Sequence, residues 1–196
     1  MVILVDVVCS FFSRFRQCNS LLDVGCRYGW AGMCFLGFNP DALLIGVDIH
    51  LPYLQALKHI CQAYHLVLCD GSHLPFRQKC IDLVVCIEVI EHLNKRDGKK
   101  MLHDFDEIAK RALILTTPNG FKKSRHRSRP LLHKSGWTVK ELRKHGYHVR
   151  GVGTKLGRKL PTKIALMLDY FFTPLSWKIP QLADRLIAVK EMKHDE

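Results

Sequence analysis

The stretch Leu21-Leu22-Asp23-Val24-Gly25-Cys26-Arg27-Tyr28-Gly29 constrains the fold of this chain more than any other. It reads as a short apolar strand that enters a turn punctuated by glycines and then a helix. Gly25 and Gly29 let backbone pass close to a ligand, because a Cβ at either position would occupy the approach. Val47-Asp48 closes the next apolar run, 19 residues beyond Gly29. An acid about 20 residues past a glycine turn is placed to accept hydrogen bonds from a ribose diol. Such a strand-turn-helix-strand unit calls for a parallel sheet with a nucleoside pocket at the strands' C-terminal ends.

The remaining pattern extends that unit. Val2–Arg16 has helix-like apolar recurrence and precedes the first strand, Ser20–Val24. Trp30–Phe38 is a predicted helix, ended by the break Asn39-Pro40-Asp41. Strands are expected at Leu43–Val47, Leu66–Cys69, Ile81–Cys86 and Ala112–Thr116, with helices at Pro52–Ala63 and Lys99–Lys110 between them. The unbroken apolar run Ile81–Cys86 suits a strand buried on both faces. Thr138–His145 reads as a helix with a Thr138/Glu141 capping box, and strands are expected at Tyr147–Val152 and Leu186–Lys190. The fold class is therefore α/β: a Rossmann-like, doubly wound, mostly parallel sheet in three α/β/α layers. One domain over residues 1–196 is expected, with a nucleoside-binding core at 20–120 and acceptor-side and C-terminal elements at 121–196.

Thirty Lys+Arg against 18 Asp+Glu give a formal net charge of +12. That excess suits an anionic partner, although it also serves solubility. The eight cysteines form no C-x-x-C pair or zinc-type spacing. Several lie in apolar runs, so they are expected to be free core thiols, no metal site is expected, and a reducing cytoplasmic setting follows. Met1–Phe12 carries Asp6 and no basic lead-in, and Ile164–Trp177 is interrupted by Asp169 and Pro174. Neither is expected to span a bilayer.

The turn itself narrows the nucleoside. A dinucleotide fingerprint would place glycines at 25, 27 and 30, where the chain has Gly25, Arg27 and Trp30. Asp23, two residues before Gly25, would repel a pyrophosphate but could face an ammonium group. A ligand with adenosine at one end and an amino acid at the other suits both features.

Four stretches, in order and with matching spacing, resemble the class I S-adenosylmethionine-dependent methyltransferases of the type-11, ubiquinone-biosynthesis-like group. They are Leu22–Gly29, Gly46-Val47-Asp48-Ile49, Cys69–Phe76 and Ile81–Leu93, and the likeness covers roughly residues 20–120. The resemblance implies S-adenosyl-L-methionine as cofactor. It implies that Gly25, Cys26 and Gly29 approach the methionine portion and that Asp23 orients its amino group. By the same likeness Asp48 accepts from the ribose, Ile49 lies against the adenine and Asp70 accepts from the adenine amine, with Gly71 giving clearance. Cys86 and Ile87 would close the pocket. Arg27 departs from the family's usual glycine, so its direction, away from the ligand or into it, decides how the turn works.

Methyl transfer from a sulfonium is an in-line displacement that needs approach and orientation before acid–base help. Where an acceptor must lose a proton, the candidates are His92 and His133, with Glu91 and Glu88 behind them. Glu88, Glu91 and His92 fall at helical spacing, where a structural charge is the competing reading. His133–Thr138 reads either as an acceptor rim with Trp137 as its aromatic wall or as a helix entry with Trp137 as a staple. Leu160–Trp177 reads as a lid, a dimer surface or core. The Asn/Asp-Pro-Pro-aromatic signature of base-amine methylation is absent, since Cys86-Ile87-Glu88-Val89 stands at that place. The basic run Lys122–Arg129 has little aromatic interleaving for base stacking. The expected substrate is thus a small molecule methylated on O or N, with phosphorylated, nucleotide-linked and glycan intermediates as the candidates. RNA or protein recruited by the basic surface is the alternative enzyme reading, and a catalytically inactive cofactor-binding scaffold is the reading outside catalysis.

Overall fold

The computed structural model describes residues 2–124, 132–156 and 162–192. Most of the basic run, Arg125–Arg129, lies outside them. Among the described residues a seven-stranded sheet has the order β3-β2-β1-β4-β5-β7-β6. The strands are β1 (Ser20–Val24), β2 (Leu43–Asp48), β3 (Tyr64–Leu68), β4 (Ile81–Ile87), β5 (Ala109–Pro118), β6 (His148–Val152) and β7 (Arg185–Glu191). β1 to β5 pair in parallel, whereas β7 runs antiparallel to both β5 and β6. The flanking helices are α1 (Val2–Phe12), α2 (Trp30–Leu36), α3 (Leu51–Ile60), α4 (Lys95–Ile108), α5 (Val139–Lys144) and α6 (Thr162–Lys178).

β1 is buried along its whole length, as its apolar run and central place require. One face of the sheet is covered by a cluster in which Phe12 of α1 meets Phe35 of α2 edge-on at 5.4 Å, with Leu57 of α3 beside them. The other face is covered by Met101, Leu102, Phe105 and Ile108, the apolar stripe of α4. Each such side chain contributes roughly 1.5–3 kcal/mol on burial. α4 begins where the Asn94 side chain accepts the Asp97 N–H, four residues before the predicted start at Lys99. α5 carries the expected capping box between Thr138 and Glu141.

One expectation is corrected, and one open alternative is resolved. Cys9 and Cys34 form a disulfide joining α1 to α2, with Cα atoms 6.3 Å apart, while the other six cysteines are free. Trp137 is fully buried in the α4 layer, not the wall of an acceptor pocket. Its indole N–H donates to Ser135 Oγ at 3.1 Å, and a Cβ on Gly98 of α4 would lie 2.6 Å from its ring.

Candidate active site

β1 neighbours β2 on one side and β4 on the other, so successive crossovers leave it on opposite sides. Ligands bind at such a reversal, beyond the strands' C-terminal ends. A cavity of about 220 Å³ opens there, lined by residues following β1, β2, β3 and β4 together with Met101 of α4 and Lys134. Of the residues expected to hold cofactor, Gly25, Asp48, Ile49, Asp70 and Gly71 line it.

The glycine turn is built as a left-handed sequence. Gly25 and Gly29 have φ of +73° and +74°, and Arg27 keeps the left-handed form at +48° despite its side chain. The turn is held from β2, because Asp48 Oδ2 accepts the Arg27 N–H at 3.0 Å while Oδ1 accepts the His50 N–H at 2.8 Å. A Cβ on Gly25 would land on Val89, so backbone is bare at the cavity wall. Arg27 is exposed, and its guanidinium lies 5.3 Å from the Tyr53 ring at the cavity's edge. The non-glycine residue thus decorates the rim of the turn.

Asp70 Oδ1 accepts both the N–H and the hydroxyl of Ser72 at 2.8 Å. Burial alone would raise its carboxyl. The two Ser72 donors, with His73 and Lys134, hold it below the ordinary carboxylate value. It therefore stays an acceptor at neutral pH. Asp48 and Asp70 facing one cavity suit hydroxyl and amine donors, and they oppose a pyrophosphate. With the bare Gly25 backbone and apolar Ile49, Val89 and Met101, this set of acceptors fits an adenosine carrying a cationic amino-acid tail.

Asp23, Cys26, Gly29, Cys86 and Ile87 are not walls of this cavity. Asp23 turns instead to Tyr64, whose hydroxyl lies 2.8 Å from its Oδ2 and 3.0 Å from the Gly29 carbonyl, and accepts the Gly32 N–H at 2.8 Å. Burial raises the Asp23 carboxyl to about 7, against the lowering effect of the Tyr64 and Gly32 hydrogen bonds. Cys26 and Cys86 are buried thiols whose ionisation burial opposes. Tyr64 carries no sequence signal of this role. Its position at the start of β3 precedes the strand expected from Leu66.

Beside the cavity, the residues after β4 form a 3₁₀ turn at Ile90–His92, not a regular helix. Glu88, at φ +54°, pairs with Arg185 of β7 at 3.0 Å and accepts the Thr116 hydroxyl at 3.3 Å. Glu91 is buried, accepts the Thr117 hydroxyl at 3.2 Å, and is raised to about 8 by burial and then by the Glu88 charge. The segment after the basic run is fastened to this turn, since the Lys134 and Ser135 N–H groups donate to the Glu91 carbonyl at 2.8 and 3.1 Å. This brings His133 to His92, with ring centroids 4.9 Å apart.

Each histidine has Nδ1 against a carbonyl, Leu132 for His92 at 3.2 Å and Lys122 for His133 at 2.6 Å. A carbonyl only accepts, so in the neutral form of each ring Nδ1 carries the proton and Nε2 the lone pair. Burial lowers the His92 ring's affinity for a second proton, and the His133, Arg27 and Lys134 charges act the same way. Among the described residues, Glu91, His92 and His133 form a group able to hold a metal ion, with one ligand atom of each within 4.8 Å of the others. The sequence expectation of no metal site came from local spacing, whereas His133 lies 41 residues from His92 and joins it only in space.

Residues 22–116 match the Methyltransferase domain family. The tRNA (carboxymethyluridine(34)-5-O)-methyltransferase of Saccharomyces cerevisiae is 32% identical over 89 residues, 45% of this chain and 30% of that protein. The small RNA 2'-O-methyltransferase of Arabidopsis thaliana is 31% identical over 123 residues, 54% of this chain and 13% of that protein. The chain thus spans less than a third of the length of these relatives. Among solved structures, the methyltransferase domain of bacterial CtHen1-CN superposes with a TM-score of 0.63 at 18% identity, covering 97% of this chain and 98% of that one. Among the described residues no helix is long and apolar enough to cross a membrane.

Proposed function

We propose that this chain is a class I S-adenosylmethionine-dependent methyltransferase, a reading that its domain match and its fold support, and that it methylates an oxygen of RNA. The observation that carries this reading is the Glu91–His92–His133 group beside the cavity. The activities for which the two relatives are named, both O-methylations of RNA, support it. Small-molecule methylation is the second reading. Arg27 and Lys134 at the cavity wall suit an anionic acceptor of either kind.

Bound in the cavity, S-adenosyl-L-methionine supplies an electrophilic methyl on a sulfonium. Asp48 would accept from its ribose, Asp70 from its adenine amine, and the Gly25 backbone would let the methionine portion approach. The acceptor hydroxyl then meets His92 and His133, whose Nε2 lone pairs can take its proton. A divalent cation held by Glu91, His92 and His133 would instead engage those lone pairs and polarise the acceptor oxygen, whose proton would then leave to solvent. Glu91 needs to be ionised for this, and a cation would oppose the upward push of burial.

The test is methyl transfer from labelled S-adenosyl-L-methionine into total RNA, protein and small-molecule extracts, each with Mn²⁺ or with EDTA. Label recovered on a nucleoside oxygen after nuclease digestion, and lost with EDTA, is the expected result. Label confined to the small-molecule extract would replace the RNA reading with the second one, and cofactor binding without transfer would leave the scaffold reading.

A further inference from the structure

α6 is built inside out. Three of its polar side chains face the body of the protein: Asp169 Oδ1 accepts the Thr154 N–H at 2.8 Å, Thr173 Oγ1 accepts the Gly153 N–H at 3.2 Å, and Ser176 is buried. The helix sits close on β6, where a Cβ on Gly151 would meet the Ser176 carbonyl. Its outward side carries Ile164, Met167, Tyr170, Phe171 and Leu175, with Tyr170 and Phe171 at 74% and 67% exposure. These positions recur at three- and four-residue steps, so they share one broad face. Ile179 and Leu182 continue the exposed apolar surface past the helix end. Hydrogen bonds on the inner side fix this orientation, so the helix cannot turn its apolar face inward without breaking them.

The charges around the face specify what covers it. Asp169 is the only acid in α6, and it is spent inward. Lys163 and Lys178 stand exposed near the two ends of the helix, about 22 Å apart at 1.5 Å per residue. A second copy docked here would bring two chains of net charge +12 together with their lysines, which repel. A plane of anionic headgroups over an acyl interior instead meets the lysines with phosphate and the Met, Tyr and Phe side chains with hydrocarbon.

We infer that α6 docks this protein on anionic lipid surfaces, with Met167, Tyr170 and Phe171 entering the headgroup–acyl boundary. The contact is peripheral, not spanning, and it stands independently of the acceptor that the methyl group reaches.

Vesicle co-sedimentation tests this with the full chain. Vesicles of phosphatidylcholine with about 30% phosphatidylserine should retain the protein, and pure phosphatidylcholine should retain it about tenfold less. High salt should weaken the binding. Met167→Glu with Phe171→Glu should abolish it while circular dichroism and Tm stay close to wild type, since both side chains face outward. Lys163→Glu with Lys178→Glu should reduce it without touching the apolar face. Equal retention on both vesicle types, or on neither, would overturn the inference. So would a salt-resistant dimer in sedimentation velocity that the Met167→Glu/Phe171→Glu variant dissolves, because the occupant would then be a second copy.

Discussion

The Tyr64 hydroxyl and the Asp23 carboxylate face each other at 2.8 Å beneath the glycine turn. Three glycines make room for that phenol, since a Cβ at Gly29, Gly32 or Gly46 would collide with Tyr64. The pair ties the end of β1 and the first turn of α2 to β3, behind the wall that the cofactor meets. Tyr64→Phe leaves the Asp23 carboxyl and the Gly32 N–H without this buried partner, which costs about 1–3 kcal/mol. The expected result is a lower Tm and weaker S-adenosyl-L-methionine binding by calorimetry. An unchanged Tm would show that the pair is idle.

Asp23 also sets a pH dependence. Its carboxyl is raised by burial to about 7 in the folded protein, against about 3.9 in an unfolded chain. Between those values the folded state binds more protons, so stability falls as pH rises. The contribution is complete below about pH 4 and is lost as pH passes through about 7. Urea unfolding of the unliganded protein should therefore show a decline on the order of a few kcal/mol across this window. Asp23→Asn should flatten it; matching slopes for the two proteins would refute the assignment.

Asp48 has two duties, latching the Arg27 N–H and facing the cavity. Asp48→Ala removes both, and S-adenosyl-L-methionine affinity should drop by about tenfold or more, the scale of one or two hydrogen bonds to a charged group. Titration calorimetry reads this directly. Gly25→Ala strains a φ of +73° and pushes into Val89, so its affinity should fall further while Asp82→Asn, at the far end of β4, leaves binding intact.

His133→Ala separates the two halves of the proposed site. It removes one member of the Glu91–His92–His133 group without entering the cavity wall. Cofactor affinity should stay within about twofold of wild type, whereas Mn²⁺ affinity should fall about 10-fold or more. Mn²⁺ binding followed by electron paramagnetic resonance provides a readout besides turnover. Equal Mn²⁺ affinity in the variant would remove His133 from the site.

Gly98→Ala tests the buried place of Trp137. The added methyl would lie 2.6 Å from the indole ring, and overpacking of this kind costs about 1–3 kcal/mol. A loss of Tm with unchanged methyl-donor affinity is expected. A stabilised variant would mean that the indole can move aside.

The parallel half of this fold was readable because its strands are apolar runs and its turns carry glycine and acid. β1 at Ser20–Val24 coincides with the expected strand. β3 and β5 begin earlier than expected, at Tyr64 and Ala109. Polar His65 and the Lys110-Arg111 pair mask those starts. Gly25 and Asp48 were legible from their spacing, and Asp70 and Gly71 through the family resemblance. The nearness of His92 and His133 was not, since it depends on backbone hydrogen bonds from Lys134 and Ser135 to Glu91. The Cys9–Cys34 pair likewise joins positions whose spacing carries no motif. Periodicity in Ile164–Trp177 marks residues that share a side of a helix, but it cannot say which side turns outward.

The placement of β7 between β5 and β6 has a consequence in time. Of all the strands, β7 is translated after the others, yet it lies inside the sheet and not at its margin. Until Arg185–Glu191 leaves the ribosome, the Leu113 and Leu115 edge of β5 has no neighbour on that side, and β6 has nothing to pair with. Nascent chains therefore pass through a stage with a long apolar strand unzipped, the kind of edge that recruits chaperones or other chains. A chain stalled or truncated just before Arg185 would remain at that stage indefinitely.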